Sequence, residues 1–350
     1  ENYKEIMIIN VKASKPYKIH LGNGLINEAK NILADFKFDK AFILTDEAVG
    51  ALYLDALKGA LKGIDVYSYS IKCGERHKNI NTYLKITEAM SKARMTRGDL
   101  LIGLGGGVIC DLAGFAAATY MRGLKLALFP TTFLAGIDAA IGGKNGVDTD
   151  FGKNMLGTIR QPDAVIYDIS TLKTLSSEEI KNGIGEGIKY AVLDGGELFD
   201  ILKAGLNDDN ILRFCELSIR LKCRYVELDE EEKGLRRLLN LGHTAAHAIE
   251  KLSDYKIPHG AAVVKGLALI ADASARAAKL GERERAEIFS LIEKYGFDTK
   301  VELSVSQLLE VIKSDKKGTG KNGITIADIV SIGDCRERYL DFGELGEYLS

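Results

Sequence analysis

The sequence predicts an α/β fold: an N-terminal Rossmann-like parallel-sheet domain over residues 1–170 and a C-terminal all-helical domain over 171–350. Three observations predict it. Before about residue 170, short β-rich runs alternate with helical stretches. Several of those runs are apolar throughout, as are the strands of a parallel sheet covered on both faces. Beyond that point the strand signal fades, and longer runs set charges on one face against apolar residues on the other, which is the helical pattern.

Taken in order, IMIINVKA (6–13), AFILTDEA (41–48), DVYSYSIK (65–72), DLLIGLGG (99–106), LALFPTT (126–132) and AVIYDIS (164–170) read as strands. NTYLKITEAMSKARM (81–95) has a helical apolar period and lies between two of them. In the second half, 211–228, 261–280 and 283–295 read as amphipathic helices. Ser304 is placed to cap a further helix, SVSQLLEVIK.

Bulk properties narrow the function. Lysine and arginine number 47 against 49 acids, a net charge of −2 with no footprint for nucleic acid. No apolar run approaches the ~18 residues of a membrane span, and the acidic start ENYKEIMIIN does not read as a secretory signal. The five cysteines form no CxxC pair. An odd, unpaired set points to reduced thiols in a cytoplasmic enzyme rather than a disulfide framework or thiolate zinc site.

Three histidines crowd into GHTAAHAIEKLSDYKIPHG: His243, His247 and His259. The first two are four apart in a helical segment, so their rings share a face. Upstream, GIGEGIKY offers Glu186. Imidazoles plus one carboxylate make the ligand set of a catalytic zinc site with an open position; satisfied core or surface histidines are the alternative. LLIGLGGGVICDLAGFAAATY reads as strand, glycine turn and helix, in which Gly105, Gly106 and Gly107 admit a pyrophosphate at a helix N-terminus. The dinucleotide pattern is imperfect, because Cys110 takes the third glycine's place and no acid follows at the usual spacing. Asp46, ending another strand, is the acidic candidate, and a purely structural turn stays open. Lys144, Lys153, Asn154, Lys189, Arg122 and Arg236 stand beside glycines or carboxylates and suggest a pocket for a phosphorylated, carboxylated small molecule.

GERHK, GGGVICDLAGFAAATYMRG, PTTFLAGIDAAIGGKNGVD, GKNMLG, GEGIKY, LNLGHTAAHAIE, HGAAV and DKK occur in that order. Together they resemble the 3-dehydroquinate synthase family of sugar-phosphate cyclases. The resemblance implies an NAD-binding first domain, with Asp46, Glu75, Lys78, Gly106, Gly107, Val108, Asp111, Thr131, Thr132, Lys153 and Thr174 as cofactor contacts. It implies a metal- and substrate-binding second domain, with Zn2+ (or Co2+) on Glu186, His243 and His259. Substrate groups fall on Asp138, Lys144, Asn154, Lys189, Lys222, Arg236, Asn240, His247 and Lys316. Arg122 resembles a residue that reaches a neighbouring subunit's phosphate pocket, which implies a homodimer. The implied reaction turns 3-deoxy-D-arabino-heptulosonate 7-phosphate into 3-dehydroquinate and phosphate, in the shikimate route to aromatic amino acids. It runs by transient oxidation by NAD, phosphate elimination, re-reduction and intramolecular aldol closure.

The chain departs from the family pattern at Cys110, Ala139, Ala140, Asn145 and Ala261. These positions surround the implied site and leave room for a sister cyclase of amino-dehydroquinate, deoxy-inosose or valiolone type. A metal-dependent NAD(P) polyol dehydrogenase of the same architecture is the reading from another class.

Overall fold

A computed structural model describes residues 6–150, 152–316 and 322–350. The chain divides into two units, Glu1–Ser176 and Ser177–Ser350. The first holds β1 (Met7–Val11), β2 (Tyr17–Gly22), α1 (Ala29–Ile32), β3 (Lys40–Asp46), α2 (Glu47–Ala60), β4 (Asp65–Ile71), α3 (Ile80–Lys92), β5 (Leu100–Gly105), α4 (Gly107–Thr119), β6 (Lys125–Pro130), β7 (Lys144–Thr149), β8 (Gly152–Ile159) and β9 (Ala164–Asp168). Its sheet runs β1-β2-β9-β6-β5-β3-β4. Every pairing is parallel except β1 with β2.

Parallel strands need crossovers, and the apolar runs supply strands that can be buried on both faces. β5 is buried at every position, and Ile43, Ile102, Phe129 and Ile166 from four strands share one core with Leu57 of α2 and Leu25. α4 is apolar nearly all round and is buried from Ile109 to Ala117 except at Asp111. From β3 the chain crosses through α2 to β4 on one side, while β5 crosses through α4 to β6 on the other. The β3/β5 boundary is therefore the topological switch point, where open α/β sheets place ligands. Asp46 and the glycine turn end those two strands.

The second unit holds α5 (Ser177–Asp194), α6 (Gly196–Ala204), α7 (Ile211–Leu228), α8 (His243–Leu252), α9 (His259–Arg276), α10 (Glu282–Lys294), α11 (Val305–Lys316), β10 (Gly323–Ser331), β11 (Asp334–Asp341) and α12 (Phe342–Leu349). α9 is its centre, packed by α5, α8, α10, α12 and β10. The expected Ser304 cap is present: its Oγ accepts from Gln307 N–H at 3.3 Å, and the Gln307 side chain accepts from Ser304 N–H at 2.9 Å.

The fold class stands with one amendment. The second unit is helical but not all-helical, because β10 and β11 pair as an antiparallel hairpin. β11 reads DCRERYLD, whose charges mask a strand with one solvated face. β2, β7 and β8 are likewise additional to the predicted strands; glycine and polar residues dilute the β signal of β7 and β8. Among the described residues no helix is long and apolar enough to cross a membrane.

Candidate active site

In the second unit, Glu186 lies midway along α5 and is fully buried. His243 opens α8 and His259 opens α9. The Nε2 atoms of both rings lie 3.2 Å from Glu186 Oε1. One ligand-type atom from each of the three residues falls within 4.8 Å of the others. His243 Nδ1 faces the Leu241 carbonyl at 3.2 Å, and His259 Nδ1 faces Glu250 Oε1 at 3.4 Å. His247, one turn along α8, sets its ring edge-on to His243 at 5.5 Å and is exposed. The shared face expected for His243 and His247 is thus observed, while the nitrogens that converge on Glu186 are those of His243 and His259.

The electrostatics of this cluster suit a cation. Burial opposes the charge on Glu186, but Lys189 and the two imidazoles outweigh it and hold its carboxyl well below the usual carboxylate range. Lys189 Nζ rests against the second Glu186 oxygen and sits 4.4 Å from the centre of the Tyr190 ring. Burial pulls His259 down, yet Glu186 and Glu250, one at each ring nitrogen, push it up to about 10. A carboxylate with two imidazoles is a tight site for a positive charge, and a divalent ion satisfies it by displacing that proton.

The second unit carries other expected residues. Lys222 is buried on α7. Arg236 is buried, and its guanidinium donates to Glu230 O at 2.6 Å. The loop preceding it is organised by Asp229, whose carboxylate accepts from the backbone N–H of Lys233, Gly234 and Arg236. Asn240 Nδ2 donates to Glu232 Oε1, and Glu232 has a left-handed backbone at φ 58°. Asp229, Glu232 and Glu250 escaped the sequence reading because an acidic run and a helix-borne glutamate look like solvated charges. Lys316 ends α11, and its side chain lies outside the described residues.

In the first unit, the glycine turn begins α4 as drawn from the sequence: Gly106 is its N-cap, Gly107 its first residue and Val108 its second. Cys110 is accommodated inside α4, its thiol 3.9 Å from Gly105 O. Thr131 N–H donates to Gly105 O at 3.0 Å, and Thr131 Oγ1 is buried with no hydrogen-bond partner among the described residues. An orphaned hydroxyl next to the strand end that leads into a helix N-terminus fits a phosphate-bearing ligand. Thr132 Oγ1 accepts from Ala135 N–H at 3.1 Å. Asp138 lies in the π-helical turn Ala135–Ala139 that follows. Asp46 caps α2, accepting from Ala48 and Val49 N–H at 3.0 and 2.9 Å. Thr174 Oγ1 meets the Tyr53 hydroxyl at 2.5 Å.

Glu75, Lys78, Asp111 and Lys153 come together in one ionic cluster. Lys78 Nζ lies 3.1 Å from both Glu75 Oε1 and Asp111 Oδ2 and 3.7 Å from Asp148 Oδ1. Lys153 Nζ lies 3.7 Å from Glu75. Burial opposes the Lys78 charge, but three carboxylates raise its affinity for the proton well above the usual lysine range. Three acids sharing that ammonium are underneutralised, and burial pushes Asp111 up to about 6. Asp148, unread in the sequence, also accepts from Asn154 N–H at 2.8 Å, and so ties Lys78 to the β7–β8 hairpin that carries Lys144 and Asn154. Asn154 itself is left-handed at φ 54°.

Arg122 stands apart. It is exposed beyond the C-terminal end of α4, so the glycine turn is about 20 Å away at 1.5 Å per residue. Met121 and Arg122 are both left-handed, φ 49° and 67°, an uncommon conformation for residues with side chains.

Residues 68–182 match the family profile described as 3-dehydroquinate synthase N-terminal, and residues 183–318 match that described as 3-dehydroquinate synthase C-terminal. The chain belongs to the 3-dehydroquinate synthase family. A 3-dehydroquinate synthase of Pyrococcus abyssi is 43% identical over 299 residues, 83% of this chain and 87% of that one. One from Clostridium acetobutylicum is 38% identical over 342 residues, covering 95% and 96%. Outside the 3-dehydroquinate synthases, a 2-deoxy-scyllo-inosose synthase crystallised with carbaglucose-6-phosphate, NAD+ and Co2+ superposes with a TM-score of 0.88 at 21% identity, covering 98% and 99%. At that identity the likeness establishes the shared fold.

Proposed function

We propose that this chain is a phosphate-eliminating lyase that converts 3-deoxy-D-arabino-heptulosonate 7-phosphate into 3-dehydroquinate and phosphate, with bound NAD and a divalent metal. The observation that carries the reading is the convergence of Glu186 Oε1 with both imidazole Nε2 atoms. Glu186, His243 and His259 would hold Zn2+ or Co2+. The glycine turn with Val108, Thr131 and Thr132 would hold NAD, alongside Asp46, Thr174 and the Glu75–Lys78–Asp111–Lys153 cluster. When bound, the metal would supply Lewis acidity at a substrate hydroxyl and NAD a reversible hydride acceptor, with no net redox.

The chain's own residues orient the substrate and balance its charge. Lys144, Asn154, Lys222, Arg236, Asn240 and Lys316 are the groups for its phosphate and carboxylate, with Asp138 and His247 for its hydroxyls. Buried cations such as Lys222 and Arg236 suit an anionic substrate, whose phosphate or carboxylate they would bind by charge-assisted hydrogen bonds. Lys189, paired with Glu186, keeps that carboxylate ionised and ready to accept from a hydroxyl or ligate a cation. Such fixed charge and geometry is what preorganised catalysis requires.

A homodimer completes the reading. Arg122 lies a helix length from the glycine turn, which supports a role toward a second copy. Met121, Met155, Leu156 and Ile159 are exposed apolar residues near it in sequence or on β8, as a subunit contact requires. All five cysteines are free, which suits a reducing cytoplasm.

The test is phosphate release by the purified protein supplied with catalytic NAD, with and without chelator. Heptulosonate phosphate releases phosphate without accumulating NADH, and chelator stops it. Release from glucose 6-phosphate or sedoheptulose 7-phosphate in its place identifies a sister cyclase. Build-up of NADH on simple polyols identifies a dehydrogenase.

A further inference from the structure

Glu250 is 3% exposed, deep on α8, and belongs to none of the groups assigned above to metal, cofactor or substrate. His259 Nδ1 lies 3.4 Å from its Oε1, on the side of the ring opposite the Nε2 that meets Glu186. We propose that Glu250 is a positioning residue of the metal centre, holding the Nδ1–H of His259 so that Nε2 is the ligating nitrogen. The proposal rests on the reading of Glu186, His243 and His259 as a metal-binding set.

A neutral imidazole carries one N–H and one lone pair. With the proton on Nε2, the N–H points at Glu186 Oε1 and no lone pair faces the other donors. With the proton on Nδ1, Glu250 accepts it and Nε2 is free to ligate. His243 is fixed in the same sense by the Leu241 carbonyl, 3.2 Å from its Nδ1, so the two rings are matched in tautomer. The acceptors differ in charge, however. A carboxylate behind an imidazole raises its basicity as a ligand more than a neutral carbonyl does, and it holds the ring more firmly. Glu250 and His243 are seven residues apart on α8, two turns, and therefore on one face. One helix thus supplies a ligand and also the orienting group for the ligand that opens the next helix.

The experiment measures Zn2+ affinity of the metal-free full chain by competition with a chromophoric chelator, for wild type, His243→Ala and Glu250→Gln. It is joined by nitrogen NMR of histidine-labelled, zinc-loaded wild type. Wild type binds one ion and His243→Ala loses it. Glu250→Gln keeps the wild-type circular dichroism but binds roughly 10–100-fold more weakly, and the visible bands of its Co2+ form shift. The NMR spectrum shows His259 protonated at Nδ1. Wild-type affinity in a folded Glu250→Gln, or a His259 protonated at Nε2, overturns the proposal. The NMR arm needs no variant and decides alone where Glu250→Gln does not fold. Equal binding by wild type and His243→Ala overturns the metal-site reading itself, and the proposal falls with it.

Discussion

Gly185 on α5 and Gly260 on α9 meet backbone to backbone. A Cβ on Gly185 would lie 2.3 Å from Gly260 O, and one on Gly260 would lie 2.0 Å from Asn182 O. Gly260 N–H also donates to Asn182 Oδ1 at 2.6 Å, which locks the crossing. Each glycine adjoins a member of the candidate metal set, so the close approach is what brings Glu186 within 3.2 Å of His259.

A methyl at this crossing must force the helices apart, since the atoms it meets are main-chain. Gly260→Ala is expected to lower stability by about 1–3 kcal/mol, the usual range for overpacking. Its more informative effect is on metal affinity, which should fall at least tenfold as Glu186 and His259 separate, about 1.4 kcal/mol. Urea denaturation and chelator competition measure the two. A variant that loses stability while binding zinc as wild type would show that the crossing does not set the donor geometry.

The Glu186–Lys189 pair should be costly to break from one side. Both groups are essentially buried, at 0% and 1% exposure, so removing the acid leaves an ammonium without its counter-charge. In metal-free protein, Glu186→Gln is expected to lose about 3–5 kcal/mol, and adding Lys189→Met to recover much of it. Chemical denaturation of the three variants forms a double-mutant cycle, and strictly additive losses would contradict the coupling.

What the sequence made legible follows its periodicities. The runs at 41–48, 99–106 and 126–132 each contain a continuous apolar stretch, and each covers most of a strand of the sheet. Segment 211–228 coincides with α7 from end to end. The four-residue spacing of His243 and His247 put their rings on one face of a helix. That same spacing could not reveal that the nitrogens converging on Glu186 belong to His243 and His259, because the partner ring comes from a different helix and the approach depends on a glycine crossing. Asp148 and Glu250 were illegible for a related reason. Each sits in a local pattern typical of solvent-facing acids, and only tertiary packing buries it or gives it a charged partner. The hairpin of β10 and β11 shows the converse. Ile324, Ile326 and Ile329 carry a strand signal, but the charged partner strand hides the pair.

The ionic cluster around Lys78 should give stability a distinctive pH dependence. Asp111 is pushed up to about 6 from an ordinary 3.8, chiefly by burial. Above pH 6 the folded chain must keep it ionised where the neutral form is favoured, a penalty the unfolded chain does not bear. The contribution of this residue to stability therefore improves as pH falls from about 6 to about 4, and levels off below, where both states are protonated. Two pH units correspond to roughly 3 kcal/mol. Asp111→Asn removes the titration, so the unfolding free energy of wild type minus that of the variant should rise across this window. Denaturation curves at intervals from pH 4 to 7 test it. A difference that stays constant, or falls with decreasing pH, would assign the shift elsewhere.

Arg122 offers the sharpest test of the proposed dimer. If it completes a neighbouring subunit's site, an Arg122→Ala chain lacks one contribution and a Lys189→Met chain lacks another, on opposite sides of the contact. Each variant alone should be nearly inactive. Mixed after reversible dissociation, half of the dimers pair the two variants. In those, both lesions fall in one site and the other is intact, so activity should recover to about a quarter of wild type, as random pairing in a two-fold dimer dictates. Recovery should follow subunit exchange and vanish when the variants are cross-linked as homodimers before mixing. Were Arg122 instead to act within its own chain, every site in every mixed dimer would carry one lesion or the other, and mixing would restore nothing.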